Sequence, residues 1–353
     1  MERINKYEIL IDFKNSSKAN LYNGNIDYLG TKRYKDHIVI TENKITISCY
    51  RSAKIDLSSV FYNHNSSLYN QIVKSLAYYY ARLEKFVEIT KITVSHSKNG
   101  KLETKKKLEK EDINQIINPK FKFKYSFQQE KLEVILSESE KGKNILNSIT
   151  YLIKANNSVD AYEKFERLWK SFNPLYRQIG QQRTEFDNLV QTRTFIINNA
   201  TDFANSLPKV SELSPEEFRN PLRWRAMILN NHPTQNDTNS FRASITRYSD
   251  YRIMNAYLDT IGNREQFLKN LGYYNEVINH INNHIEHTTK IDIELICILT
   301  LRYMYFIRNK SFHGEKMDST FRITINKELK EFEWLNDKLE PFIFDLINSN
   351  DKF

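Results

Sequence analysis

The stretch Ile291-Asp292-Ile293-Glu294-Leu295-Ile296-Cys297-Ile298-Leu299-Thr300-Leu301-Arg302-Tyr303-Met304-Tyr305-Phe306-Ile307-Arg308-Asn309-Lys310-Ser311-Phe312-His313-Gly314 decides how the C-terminal part of this chain is read. Its apolar residues, from Leu295 to Ile307, fall on every side of a helical wheel. Such a helix is buried on most sides, at the centre of a bundle. The run contains Arg302, is flanked by Asp292, Glu294 and Arg308, and is too short to span a bilayer, which takes about 20 apolar residues. It ends in Arg308, Asn309 and His313, groups that cost free energy to bury without partners. Gly314 suits the left-handed residue that closes a helix.

Outward from this helix, spacings of three and four predict further helices over 160–179, 185–203, 215–229, 240–260, 264–287 and 328–347. The earlier part of the chain has another rhythm. Tyr7 to Phe13 alternates as a strand does. His37–Ile40 and Lys44–Tyr50 flank Thr41-Glu42-Asn43 as a hairpin would. Leu68, Ile72, Val73, Leu76, Tyr80, Leu83 and Val87 predict one helix over 66–86. Ile92–Ser95 returns to strand character, and Asn99-Gly100 is a tight-turn signal. Alternation also predicts strands over 121–127 and 132–136. Helical spacing over 145–154 is followed by Ala155-Asn156-Asn157-Ser158, a polar break with Ser158 as cap. The chain therefore reads as an α+β module over 1–140, a connecting helix or linker over 141–156 and an all-α bundle over 157–353. Two domains are also what 353 residues suggest at roughly 100–200 residues each.

Composition narrows the function class. With 40 % hydrophobic residues, 21 Tyr and 21 Phe, the chain has ample material for folded cores. A net charge of +9 favours encounter with polyanions, although an AT-rich codon bias toward Lys and Asn also accounts for it. Cys49 and Cys297, far apart, form no disulfide framework or Cys-rich zinc site. Eight scattered glycines contain no phosphate loop or dinucleotide fingerprint, and there is no Gly-x-Ser-x-Gly elbow. The first residues lack the apolar core of a signal peptide. A cytoplasmic protein without cofactor, metal or membrane attachment is expected.

A second informative segment runs from Ala161 to Arg177. Phe165, Leu168, Trp169, Phe172, Leu175 and Tyr176 form a continuous aromatic face, a core helix by itself. Asn173 and Arg177, four apart on one face, are the polar residues that a core helix does not explain. Together, Trp169-x-x-Phe172-Asn173-x-Leu175-Tyr176 and Arg308-Asn309 followed by His313 resemble the HEPN superfamily. Its signature is an Arg, four to six residues, then a His, often with a polar residue directly after the Arg. The resemblance covers roughly residues 157–350 and leaves the first part out.

What the resemblance implies is an all-α bundle that dimerises and cleaves RNA without a metal. The RNA 2′-hydroxyl attacks the adjacent phosphate, leaving a cyclic phosphate and a 5′-hydroxyl. His313 moves protons, since imidazole titrates near 6.5. Arg308 holds the non-bridging oxygens, and Asn309 orients His313. Asn173, then Arg177, are the candidates for a polar contribution from the early helix, inside which Pro174 predicts a kink. Five residues separate Arg308 from His313, about 140° around a regular helix. The family's dimeric arrangement resolves this with a composite active site shared by two protomers. HEPN proteins with an added domain commonly serve in toxin–antitoxin or antiphage systems. An inhibitor or antitoxin, or a phage-derived trigger, is then an implied partner, and residues 1–140 would sense, bind RNA or restrain the nuclease. Some family toxins carry a Tyr two residues after the His that a partner modifies. Here that residue is Glu315, which argues against such silencing. The alternative is a catalytically inactive HEPN-like module that binds nucleic acid, nucleotide or a protein partner. A purely structural interaction protein is a third.

Two further sets stand out. Arg219, Arg223, Arg225, Arg242, Arg247 and Arg252, interleaved with aromatics, read equally as RNA contacts or as the solvent side of amphipathic helices. Arg223, Arg225, Arg247 and Lys310 are the candidate RNA contacts. His280, His284 and His287 share a helical face and read as a wet polar surface, with a metal-binding face as the other reading.

Overall fold

The computed structural model describes residues 4–29, 31–115, 117–311, 324 and 326–353. These form two compact units, one of residues 1–158, 170–178 and 347–353, the other of 159–169 and 179–346. The described part thus has an antiparallel sheet toward the N-terminus followed by a helical region.

In the first unit, six strands pair antiparallel in the order β2-β3-β4-β1-β5-β6. They are β1 Asn5–Phe13, β2 Asn20–Tyr28, β3 Thr31–Thr41, β4 Lys44–Arg51, β5 Ile89–Lys98 and β6 Lys101–Glu109. The two-residue alternation of β1 works as expected. Tyr7, Ile9, Ile11 and Phe13 are buried, with Ile9 opposite both Ile47 and Val94. The helix Ser67–Leu83 is capped by the Ser66 hydroxyl, which accepts from the Leu68 N–H, and closed by Glu84 in the left-handed conformation. Tyr79 from this helix stacks on Phe13 at 3.8 Å. The β5–β6 hairpin turns at Asn99 (φ 50°) and Gly100 (φ 80°), the positive-φ pair that a tight turn demands. The basic run Lys105-Lys106-Lys107 lies on β6, at the sheet's edge and largely exposed, where lysines discourage pairing with another strand. Cys49 is buried, and desolvation pushes its thiol up to about 12, far from a reactive thiolate.

Two expectations are corrected in this unit, and one strand was missed. Among the described residues, 121–127 make only one isolated bridge, Lys85 to Lys122. Phe121, Phe123 and Phe127 are buried and pack edge to face at 4.8 and 5.5 Å. An extended chain buries alternate residues with or without a ladder partner, so the alternation was real while the strand was not. Residues 132–136 are helical, the one-turn helix Gln129–Leu132 running into the 3-10 turn Glu133–Leu136, because a short apolar run carries no period of its own. Strand β2, Asn20–Tyr28, went unread. Its Asn and Gly residues are poor strand formers, and pairing with β3 holds it.

The helix Ala161–Gly180 runs through Pro174 as one element. Its first turn is capped by Asp160, whose carboxylate accepts from the Glu163 N–H at 2.9 Å, rather than by Ser158, which donates to the Lys154 carbonyl. In the helical unit, several long predicted helices are shorter. Glu185–Asn198 ends before a 3-10 turn. Pro215–Arg219 and Trp224–Asn231 are separate, with Pro221 lacking a donor between them. Thr238–Thr246 and Tyr251–Ile261 are split where Asp250 caps the second. Gly272 at φ 74° divides Glu265–Asn270 from Tyr274–Glu286.

His232, 3 % exposed, titrates in this interior. Desolvation first, then the Arg302 charge, lowers its pKa to about 4, while Asp237 opposes the shift and Arg264 adds to it. The unfolded chain takes up this proton below about 6.5, whereas the folded chain refuses it until about 4. Stability is therefore full above pH 6.5 and lost as the pH falls toward 4, by on the order of 3 kcal/mol. Thermal melts from pH 7 to 4.5 should show a slope that His232→Gln visibly reduces. An unchanged slope would mean that His232 does not carry it.

Candidate active site

The buried helix is assembled from Asp292–Ile298, a π-helical stretch Leu299–Tyr303 and Met304–Ser311. Leu295 to Leu299 and Tyr303, Met304, Phe306 and Ile307 are almost wholly inaccessible. Burial on all sides explains why the sequence is apolar all round. The π stretch is a local departure of the kind often found at functional sites. At Arg308 the environment changes. The Arg308 side chain is 25 % exposed, Asn309 is half-buried and Lys310 exposed.

Two side chains hold Arg308. Its Nη1 donates to Asn309 Oδ1 at 2.8 Å and lies 3.5 Å from Glu185 Oε2. The Tyr305 hydroxyl donates to the same Glu185 oxygen at 3.2 Å. Tyr162, at the start of the aromatic helix, donates its hydroxyl to the Ser311 carbonyl at 2.6 Å, tying down the last turn before Phe312. A guanidinium carries five N–H donors. Among the described residues it makes only these few contacts, which leave donors for a phosphate.

Glu185 was not among the residues singled out from sequence. It opens the helix Glu185–Asn198, capped by Thr184, whose hydroxyl accepts from the Asp187 N–H at 3.1 Å. Asn188 clamps the preceding loop, accepting from the Gln182 N–H at 2.8 Å and donating to the Thr184 carbonyl at 2.8 Å. Gly180 makes that closeness possible, since a Cβ there would stand 2.3 Å from Asn188 Oδ1 and 2.6 Å from its Cα. Gly180→Ala should therefore destabilise by about 1–3 kcal/mol, the cost of overpacking, and should displace Glu185. A denaturant melt checks the first, and a variant as stable as the wild type would show that the loop yields freely.

His313 lies outside the described residues. Asn173 and Arg177 belong to the first unit, Arg308 and Asn309 to the second. The Asn173 Oδ1 atom is buried without a hydrogen-bond partner among the described residues, while Arg177 is exposed. Of the arginine series, Arg219 pairs with Asp259, Arg242 with Glu276, and Arg252 with Asp250 and Asp292. Arg223 pairs with Glu331 at 2.8 Å. That leaves Arg225 and Arg247, both exposed, without an ion pair among the described residues. His280 uses Nε2 on the Tyr248 carbonyl at 2.8 Å and His287 uses Nδ1 on the Asn283 carbonyl at 2.7 Å. No group of three His, Cys, Asp or Glu among the described residues is placed to hold a metal ion. Nor is any helix among them long and apolar enough to cross a membrane.

Comparison of the chain with family models, with curated proteins and with solved structures returns no match.

Proposed function

We propose that this chain is a metal-independent endoribonuclease of the HEPN type, acting as a toxin or antiphage effector. The observation that carries the reading is Arg308. It is a partly exposed guanidinium near the end of an otherwise buried helix, oriented by Asn309 and Glu185 and with donors that no described residue takes up. Arg308 takes the non-bridging oxygens of the scissile phosphate and offsets the charge that grows on them. His313, beyond the described end of that helix, withdraws the 2′-hydroxyl proton or protonates the leaving 5′-oxygen. The products are a 2′,3′-cyclic phosphate and a free 5′-hydroxyl, with no atom lost. Two protomers face each other across a twofold axis, so that one phosphate meets groups from both. Lys310, Arg225 and Arg247 supply contacts to the RNA backbone, and Arg223 contributes less because Glu331 holds it.

The test is incubation of the purified chain with total bacterial RNA in EDTA, followed by end-group analysis. Fragments with cyclic-phosphate ends, absent with Arg308→Ala and His313→Ala, support the reading. Intact RNA from a folded dimer that is also harmless on expression would favour the inactive binding module.

A further inference from the structure

Within the helical unit, a cavity of about 480 Å³ opens among the helices Glu185–Asn198 and Thr238–Thr246 and the π stretch Leu299–Tyr303. That size lies in the range of small-molecule sites. Arg193, Arg247 and Arg302 line it from three separate segments, and no carboxylate does. None of these guanidinium groups makes an ion pair or hydrogen bond with a described residue, and Arg193 Nε is buried without a partner. Arg193 instead lies over the Tyr248 ring, 5.4 Å from its centre. Glu294, whose carboxylate feels the Arg193 charge, is committed to the backbone N–H groups of Ser249 and Asp250. Beside these cations the walls are aromatic, with Phe186 66 % exposed and Tyr305 half-buried.

Gathering three cations that form no ion pair with a described residue costs free energy that a bound anion would offset. Aromatic walls beside an arginine fork suit a planar base next to a phosphate. We propose that this cavity binds a nucleoside phosphate, its phosphate taken by Arg302, Arg247 and Arg193 and its base by Phe186 and Tyr305. Tyr305 also hydrogen-bonds Glu185 beside Arg308, so an occupant touches a side chain that helps to orient Arg308. The chemistry is the same whether the nucleotide is free or part of an RNA strand, and it does not depend on cleavage.

The experiment is calorimetric titration of the full chain, carrying His313→Ala so that RNA is not consumed, with AMP, adenosine, inorganic phosphate and a short RNA. AMP should bind saturably, with adenosine and phosphate each weaker by about tenfold or more. Arg302→Gln should weaken AMP by a similar factor. Ala243→Trp places a large side chain in the cavity from an exposed position and should abolish binding, with circular dichroism confirming that the variant is folded. AMP that displaces the RNA marks the cavity as a subsite for the strand, and AMP that binds alongside it marks a site for the free nucleotide. No saturable AMP binding, phosphate binding as tightly as AMP, or AMP binding untouched by both variants in folded protein would each overturn the proposal.

Discussion

Arg308→Ala is expected to slow RNA cleavage by about 100- to 1,000-fold, the usual cost of removing one donor aimed at developing charge. His313→Ala should cost about 100- to 10,000-fold, the range for a general acid or base. The fold should survive the arginine change. The partner it abandons, Glu185, is itself 25 % exposed, and pairs near solvent are worth about 0–1 kcal/mol. Arg308→Lys should recover only part of the rate, because an ammonium restores the charge but not the planar fork. The composite cleft adds a sharper test. Mixed dimers of Arg308→Ala and His313→Ala protomers contain one intact set of groups and should regain a fraction of the activity that neither homodimer has. Single-turnover cleavage in EDTA measures all of this. Full activity in Arg308→Ala would remove the central claim.

The largest stability effect is expected at Asp250. Its carboxylate is wholly buried and receives Arg252 Nε at 3.0 Å, Arg252 Nη2 at 2.6 Å and the Ile291 N–H at 2.6 Å. Arg252, equally buried, reaches on to Asp292 at 2.6 Å and to the Val210 carbonyl at 2.8 Å. One ion cluster thus joins the cap of Tyr251–Ile261 to the start of the buried helix. Asp250→Ala leaves a guanidinium buried with only the half-exposed Asp292 to balance it. The loss should be about 3–5 kcal/mol, as when one partner of a buried pair is removed. Replacing Asp250, Arg252 and Asp292 together by apolar residues should cost less than Asp250→Ala alone, since no charge is then stranded. Urea unfolding decides, and a loss under about 1 kcal/mol for Asp250→Ala would mean that water reaches the cluster.

Much of this protein was determined by its sequence alone, wherever a local rule had enough residues to act on. Alternation over Tyr7–Phe13 produced β1, Ser66 capped its helix, Asn99-Gly100 made the turn, and all-round apolarity from Leu295 buried the helix that carries Arg308. These are interactions between residues a few positions apart, so their physics is written in the spacing. What only the tertiary structure decided was pairing across the chain. Whether Phe121 to Phe127 would meet a ladder partner depended on a neighbouring strand, and among the described residues they meet only the isolated bridge Lys85 to Lys122. Which arginines would be spent on carboxylates depended on Asp259, Glu276, Asp292 and Glu331, all distant in sequence. Glu185 reaches Arg308 only because the helix Glu185–Asn198 packs beside the buried one, and Arg193, Arg247 and Arg302 share a cavity for the same reason. No period or spacing encodes such meetings, because they arise when apolar faces choose their partners and carry the polar groups along with them.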